Sequence, residues 1–339
     1  IRDGAVRRIF ARGVTRGDAV ATGVDRPPRV SAVVVLPAKP VLVAAHLPGE
    51  GAQTRLALGA FADPWPGEIR VTDENTGATL TALARPAAMG EVTESIGPGP
   101  VAVWDRGTEL CIRLYGGHIA DAAEIAVLGG SNRLAVETDS GNWEVIGFAE
   151  AALTATGHYR LTRLLRGLDG SAEASGAISA GRKVVVLDAR AEVLPVDPAQ
   201  LGETRKMRFY AGGADFGGED LAIAPQTAPA LPLAPVHLRA KRQFGGDIAF
   251  SWIRRSRAED GGWGPAEMSS DIVPELYRVQ IFDGGVLRRS VEVDAPATVY
   301  ALADQTADFG SPPAHFVFSV AQVSPVLGAG HRAQEEFHE

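Results

Sequence analysis

Residues 159–172 read "YRLTRLLRGLDGSA", and the segment admits two readings. Arg160, Arg163 and Arg166 recur every third residue, while Leu161, Leu164, Leu165 and Leu168 recur at helical intervals. As a helix this would be a basic amphipathic rod suited to nucleic acid or a membrane surface. As a strand, Tyr159 to Leu165 would run into a tight turn at Arg166-Gly167. Thr156-Gly157 lies just upstream, and Arg166-Gly167 and Asp169-Gly170 lie three residues apart. A helix confined between such glycines is about two turns long and marginal without packing. We therefore read a strand followed by a double turn. Strand alternation breaks up the cationic stripe: Arg160 faces away from Tyr159 and Leu161, and Arg163 and Arg166 fall on opposite faces.

The surrounding sequence has the same grammar. "RVSAVVVL" (29–36) is a β-branched apolar run. Leu56, Leu58 and Ala60 alternate ahead of a Pro-Trp-Pro-Gly break, and Ile69 and Val71 alternate ahead of the "DENTG" turn. Val101 and Val103, then Leu110, Ile112 and Leu114, repeat the pattern around Asp105-Arg106-Gly107. Turns at Gly-Gly-Ser-Asn and Asp-Ser-Gly-Asn divide three further strand candidates between 124 and 153. Glycine (39) and proline (22) supply about 18 % of the chain, against a usual share of about 12 %, and they are spread throughout. A mainly β chain follows. At 339 residues it exceeds what one core usually fills, so more than one domain is expected.

We expect a β-rich domain over 1–170 and a β connector over 171–232, whose "DLAIAPQTAPALPLAPVH" is a semi-rigid proline-rich linker. A small sandwich follows over 233–330, then a flexible tail over 331–339. In the sandwich segment Ile248, Phe250 and Trp252 share one strand face, as do Tyr277, Val279 and Ile281. Six or seven strands in this length, with a tryptophan on an early strand, suit a fibronectin type III-like sandwich.

The formal net charge of −8 argues against a general affinity for nucleic-acid phosphate. A single cysteine, Cys111, excludes an internal disulfide and a cysteine-rich zinc site, and we read it as a small core residue. No apolar run approaches the ~20 residues of a membrane span. The opening "IRDGAVRRIFARG" lacks the apolar region of a signal peptide, and its initial isoleucine suggests a piece of a longer polypeptide.

Catalytic constellations fail to appear. No two of the seven histidines have the helical spacing of a metal site, and His331 and His338 fall in the expected tail. "GGSNR" around Ser131 lacks the second glycine of a nucleophile elbow. "GGADFGGED" lacks the Lys-Ser/Thr of a phosphate loop, and its Asp215, Glu219 and Asp220 read as an exposed loop rather than a calcium site. Asp-Phe-Gly occurs at 215–217 and 308–310, read as turns in which phenylalanine packs inward and glycine takes a positive φ. Carboxylate pairs such as Glu91/Glu94 are expected by chance among 41 acidic residues. We expect no enzyme activity, no cofactor and no metal. Trp65 in "DPWPG" and Trp263 in "DGGWGP" lie in turn contexts, as lids over the local core or as interface anchors.

"FADPWPG", "ELCIRLYGG" and "NWEVIGFAEAALTATGHYRLTRLLRGLDGSA" together resemble the baseplate megatron family of gene transfer agents and the related siphophage tail host-specificity proteins. The matching positions are Trp143, Glu144, Val145, Phe148, Tyr159, Leu161, Leu164, Leu165, Arg166, Gly167 and Gly170; "SWIRRSRAEDGGW", "ELYRVQIFDGG" and "TADFG" with "FSVAQVS" are similar to the family's C-terminal region. Ser171 stands where threonine is commoner. The resemblance runs from about Leu56 to Gly328. It implies a structural protein of a phage-like tail tip, assembled in the bacterial cytoplasm with three-fold symmetry. The implied partners are copies of itself, other baseplate, hub and fibre proteins, and a cell-surface glycan, with no direct contact to nucleic acid. Family members carry an upstream glycosidase-like barrel that nothing in these residues matches. On this reading Arg160, Arg163 and Arg166 supply interchain or interdomain ion pairs, and Trp65 and Trp263 are further interface candidates. An accessory sugar-binding part of a cell-wall glycoside hydrolase is the alternative.

Overall fold

The computed structural model describes residues 39–49, 53–213, 215–257 and 272–339, all within one compact unit, Pro37–Glu339. Strands β1 (Val41–Pro48) and β2 (Thr54–Phe61) form a hairpin, as do β3 (Ile69–Asp73) and β4 (Thr79–Leu83). β5 (Met89–Val92), β6 (Trp104–Asp105) and β7 (Leu110–Leu114) follow, then a short helix α1 (Glu124–Leu128). β8 (Arg133–Glu137), β9 (Trp143–Ala155) and β10 (His158–Leu165) come next. Tyr159–Leu165 is therefore a strand, as the opening segment was read. β11 (Lys183–Val186), β12 (Glu192–Val196), β13 (Arg205–Ala211) and β14 (Glu219–Ile223) complete the first part.

Strands β10, β7, β5, β11, β8 and β9 pair in that order, and β9 pairs back onto β10, closing a six-stranded antiparallel barrel with β6 attached beside β10. The barrel is filled rather than hollow. Alternate residues from every strand, among them Ile112, Leu134, Ile146, Phe148, Leu161 and Val184, form its interior. The alternation read from the sequence at Leu110, Ile112 and Leu114 is this interior face.

A three-stranded sheet, β1-β2-β12, lies on the barrel. Val43, Ala45 and Leu47 meet Met89, Ala135, Val145 and Val185 on the barrel's outer face. Leu56 and Leu58 point the other way, onto Ile69, Val71, Met207 and Phe209 of the four-stranded sheet β14-β13-β3-β4. Both faces of β2 are thus covered, which is why "LALGA" is apolar without a polar alternate.

The expected division at residue 170 does not follow these sheets. β11 sits between β5 and β8 inside the barrel, β12 pairs β2, and β13 pairs β3. Residues 171–232 are not a separate connector, because their apolar strands complete sheets begun by residues 41–92. The proline-rich stretch is itself packed: Ala230, Leu233 and Ala234 are buried, and Thr54 Oγ1 donates to the Gln226 carbonyl at 3.0 Å.

The C-terminal part is a two-sheet sandwich. β15 (Val236–Arg242), β16 (Ile248–Ile253) and β19 (Ala297–Tyr300) form one sheet. β18 (Val286–Val293), β17 (Tyr277–Asp283), β20 (His315–Ser324) and β21 (Gly328–His338) form the other, in that order. This three-plus-four arrangement is the fibronectin type III-like sandwich expected from the sequence. Its core holds Phe250, Trp252, Tyr277, Tyr300, Phe316, Phe318 and Phe337. The predicted tail is a correction: residues 331–338 belong to β21, hydrogen-bonded along β20, with Phe337 buried. A helix α2 (Leu302–Phe309) also replaces the turn read at Asp308-Phe309-Gly310. Phe309 still packs on the core, and Gly310 takes φ +80° at the helix C-terminus. The other Asp-Phe-Gly differs, since Phe216 is 90 % exposed.

Candidate functional site

Strand β10 carries the three arginines to different places. Tyr159 and Leu161 point into the barrel. Arg163 then takes φ +54°, and the inward phase passes to Leu164 and Arg166. β9 shifts phase opposite it, with Ile146 and Phe148 inward on one side of the step and Ala151 on the other. The step carries Arg166 into the mouth of the barrel, where its side chain and that of Glu144 are both fully buried. Glu144 has the same inward parity as Ile146 and Phe148.

Four of the five guanidinium N–H donors are engaged. Arg166 Nε donates to Glu144 Oε1 at 2.9 Å and Nη2 to Glu144 Oε2 at 2.6 Å, a bidentate pair. Nη1 donates to the Gly97 carbonyl at 2.8 Å and Nη2 also to the Gly176 carbonyl at 2.7 Å. The backbone N–H of Gly167 donates to Glu144 Oε1 at 3.1 Å. Asp105 lies nearby; hydrogen bonds from Thr108 and Gly107, with the Arg166 charge as a lesser cause, hold its carboxyl below the usual carboxylate range. Burying two charges is tolerable only with this degree of satisfaction.

The turn after Arg166 is sewn to the same strand. Gly167, Asp169 and Gly170 all have positive φ. Leu168 N donates to the Val145 carbonyl at 2.9 Å, and Val145 N donates to Ser171 Oγ at 2.8 Å. Ser171 Oγ in turn donates to the Leu168 carbonyl at 2.7 Å, and Arg133 pairs with the Asp169 carboxylate. "WEV" and "RGLDGS", two segments of the family resemblance, are therefore halves of one closed staple. The staple closes Glu144 and Arg166 off from solvent. Arg166 is a correction to the interface candidates: a fully buried guanidinium spent on Glu144 and two carbonyls cannot meet a neighbouring subunit.

Arg160 and Arg163 lie on the surface. Arg160 faces Glu109 at 3.5 Å, while Arg163 reaches Glu124 at 3.4 Å and Glu150 at 3.6 Å. Arg106 joins Glu124 at 3.4 Å, so a charged strip runs from the β6–β7 turn across α1 to β10. Ile125 and Leu128 of α1 and Leu153 of the β9–β10 hairpin are exposed apolar side chains in the same region of the chain. Trp65 is half-buried against the core between the three- and four-stranded sheets, which is the lid reading rather than a projecting anchor. Trp263 lies outside the described residues. Cys111 is a further correction. It is half-buried on the barrel's outer face, where burial pushes its thiol pKa up.

Sequence spacing missed one constellation. His315 and His338 sit directly opposite on β20 and β21, with Glu336 two residues from His338 on the same face. Helical spacing could not find a cross-strand set; the Glu-x-His period of two was the available signal. No helix among the described residues is long and apolar enough to cross a membrane.

No curated protein matches this chain. Residues 87–185 match the family model described as Rcc01698-like, C-terminal, and this stretch is the closed barrel with its Glu144–Arg166 staple, from β5 to the penultimate residue of β11.

Proposed function

We propose that this chain is a structural component of a phage-like, gene-transfer-agent type tail baseplate, which acts by assembling with copies of itself and with other tail proteins. The observation that carries the reading is the coincidence of the matched residues 87–185 with the barrel and with two of the segments that resemble the megatron family, 109–117 and 142–172. The buried staple supports a scaffolding role for those segments, since it spends their charged residues on holding the barrel mouth shut. In this role the barrel presents its charged strip to a neighbour. Arg160 and Arg163 exchange their weak intrachain partners for interchain carboxylates. Exposed pairs of this kind contribute about 0–1 kcal/mol each, so re-pairing costs little.

Sedimentation and native mass measurement of the chain, alone and with tail proteins, test the proposal. A trimer, or incorporation into tail tips seen by electron microscopy, is expected. The double change Arg160→Glu and Arg163→Glu should weaken that assembly while leaving the melting temperature within a few degrees. A chain that stays monomeric with every tail component sinks the proposal. Turnover of cell-wall glycan by the purified chain would favour the hydrolase-fragment alternative.

A further inference from the structure

The last two strands of the sandwich bring three ligand-type side chains to one outward face. Phe316 and Phe337 point inward, stacked with centroids 4.9 Å apart, and fix the β20–β21 pair from beneath. Their neighbours must then point out. His315 and His338 are cross-strand partners whose rings lie side by side, with centroids 4.6 Å apart and a 33° tilt. Glu336 follows on the same face. Its Oε2 lies 3.1 Å from His338 Nε2 and 3.7 Å from His315 Nε2. One ligand atom from each residue falls within 4.8 Å of the other two.

These separations suit coordination. With metal–ligand bonds of about 2.0–2.1 Å, tetrahedral ligand atoms stand about 3.3–3.5 Å apart. The two carboxylate–imidazole distances bracket that value, and all three ligand atoms lie within 4.8 Å of one another, within reach of rotations of exposed side chains. Two imidazoles and one carboxylate favour a borderline divalent ion of the zinc, nickel or copper kind over magnesium or calcium, which take oxygen ligands. All three side chains are more than half exposed, which leaves a fourth position open to water.

We propose that His315, Glu336 and His338 form a zinc-class divalent metal site that clamps the C-terminal edge strand onto β20. The site stands independently of the baseplate reading. The clamp acts at the edge of the sheet, where β21 has a partner strand on one side. Binding to the folded pair alone stabilises it by mass action.

The test uses the tag-free chain and zinc chloride in a non-chelating buffer, read by titration calorimetry and by hydrogen exchange of the β21 amides. One zinc per chain is expected, with affinity falling about tenfold or more in His315→Ala and in His338→Ala, and measurably in Glu336→Gln. His118→Ala, at an exposed histidine elsewhere, should bind as the parent does. Zinc should slow exchange in β21 of the parent and leave His315→Ala unchanged, and magnesium chloride should do neither. Absence of zinc uptake at tenfold molar excess overturns the site. Uptake that survives in both histidine variants with the parent affinity overturns it equally.

Discussion

At Arg166 and Glu144 the energetics are asymmetric. Removing one partner leaves the other charged and buried, so Arg166→Ala or Glu144→Ala should lower unfolding free energy by about 3–5 kcal/mol, as read by chemical denaturation. Replacing both by apolar residues of similar volume should cost far less, because no orphaned charge remains. Arg166→Glu should therefore unfold the barrel before any question of assembly arises. His46 makes a different argument. It lies buried on β1, neither ring nitrogen has a hydrogen-bond partner among the described residues, and burial lowers its pKa to about 4. The unfolded chain takes up this proton near pH 6.5 while the folded chain resists it, so stability is full above that pH. It should decline as pH falls from about 6.5 to about 4, by about 3 kcal/mol in all. His46→Leu should flatten that part of the stability–pH curve, and an unchanged slope would refute the assignment.

At the scale of elements, close approaches and backbone sign matter most. Gly90 of β5 lies against β7 so closely that a Cβ there would come 1.8 Å from the Arg113 carbonyl oxygen. Gly90→Ala must push the two strands apart and open the barrel, costing about 3 kcal/mol or more in thermal or denaturant unfolding. Arg163 holds a left-handed conformation in the middle of β10. Arg163→Ile should be about 1–2 kcal/mol less stable than Arg163→Gly, since a β-branched residue resists positive φ while glycine does not. The existence of most of these elements was legible beforehand. Ile248, Phe250 and Trp252, or Tyr277, Val279 and Ile281, announce their strands by simple alternation. Strand β21 did not, because "GHRAQEEFHE" holds one large apolar residue, Phe337, and its other face is solvent.

At the scale of the whole molecule, the sandwich is tied to the rest by small, close contacts. His331 N donates to the Pro232 carbonyl at 3.0 Å, and Arg255 meets Glu173 at 3.3 Å. Arg257 lies over Gly170, and Gly330 sits where a Cβ would come 2.5 Å from the Pro232 carbonyl oxygen. Gly330→Val should therefore separate β21 from the proline-rich segment. Limited proteolysis should then cut between residues 224 and 235 at a faster rate, while the sandwich keeps its own melting transition. Equal cleavage rates in parent and variant would show that this contact does not hold the two parts together.

The sequence by itself determined the β character, the strand faces of the sandwich and of much of the barrel, and the turn at Arg166-Gly167, because alternation and glycine are local signals. It showed neither the phase step at Arg163 nor the helix at Glu124–Leu128. Tertiary structure alone decided which strands pair. β12 joins β2 and β13 joins β3 across more than a hundred residues, β9 closes on β10, and Glu144 meets Arg166 inside the mouth that closure creates. A period of two says which side of a strand is buried, and nothing in it names the partner strand. That is why a residue placed among surface candidates by its charge proved to be the plug of the barrel.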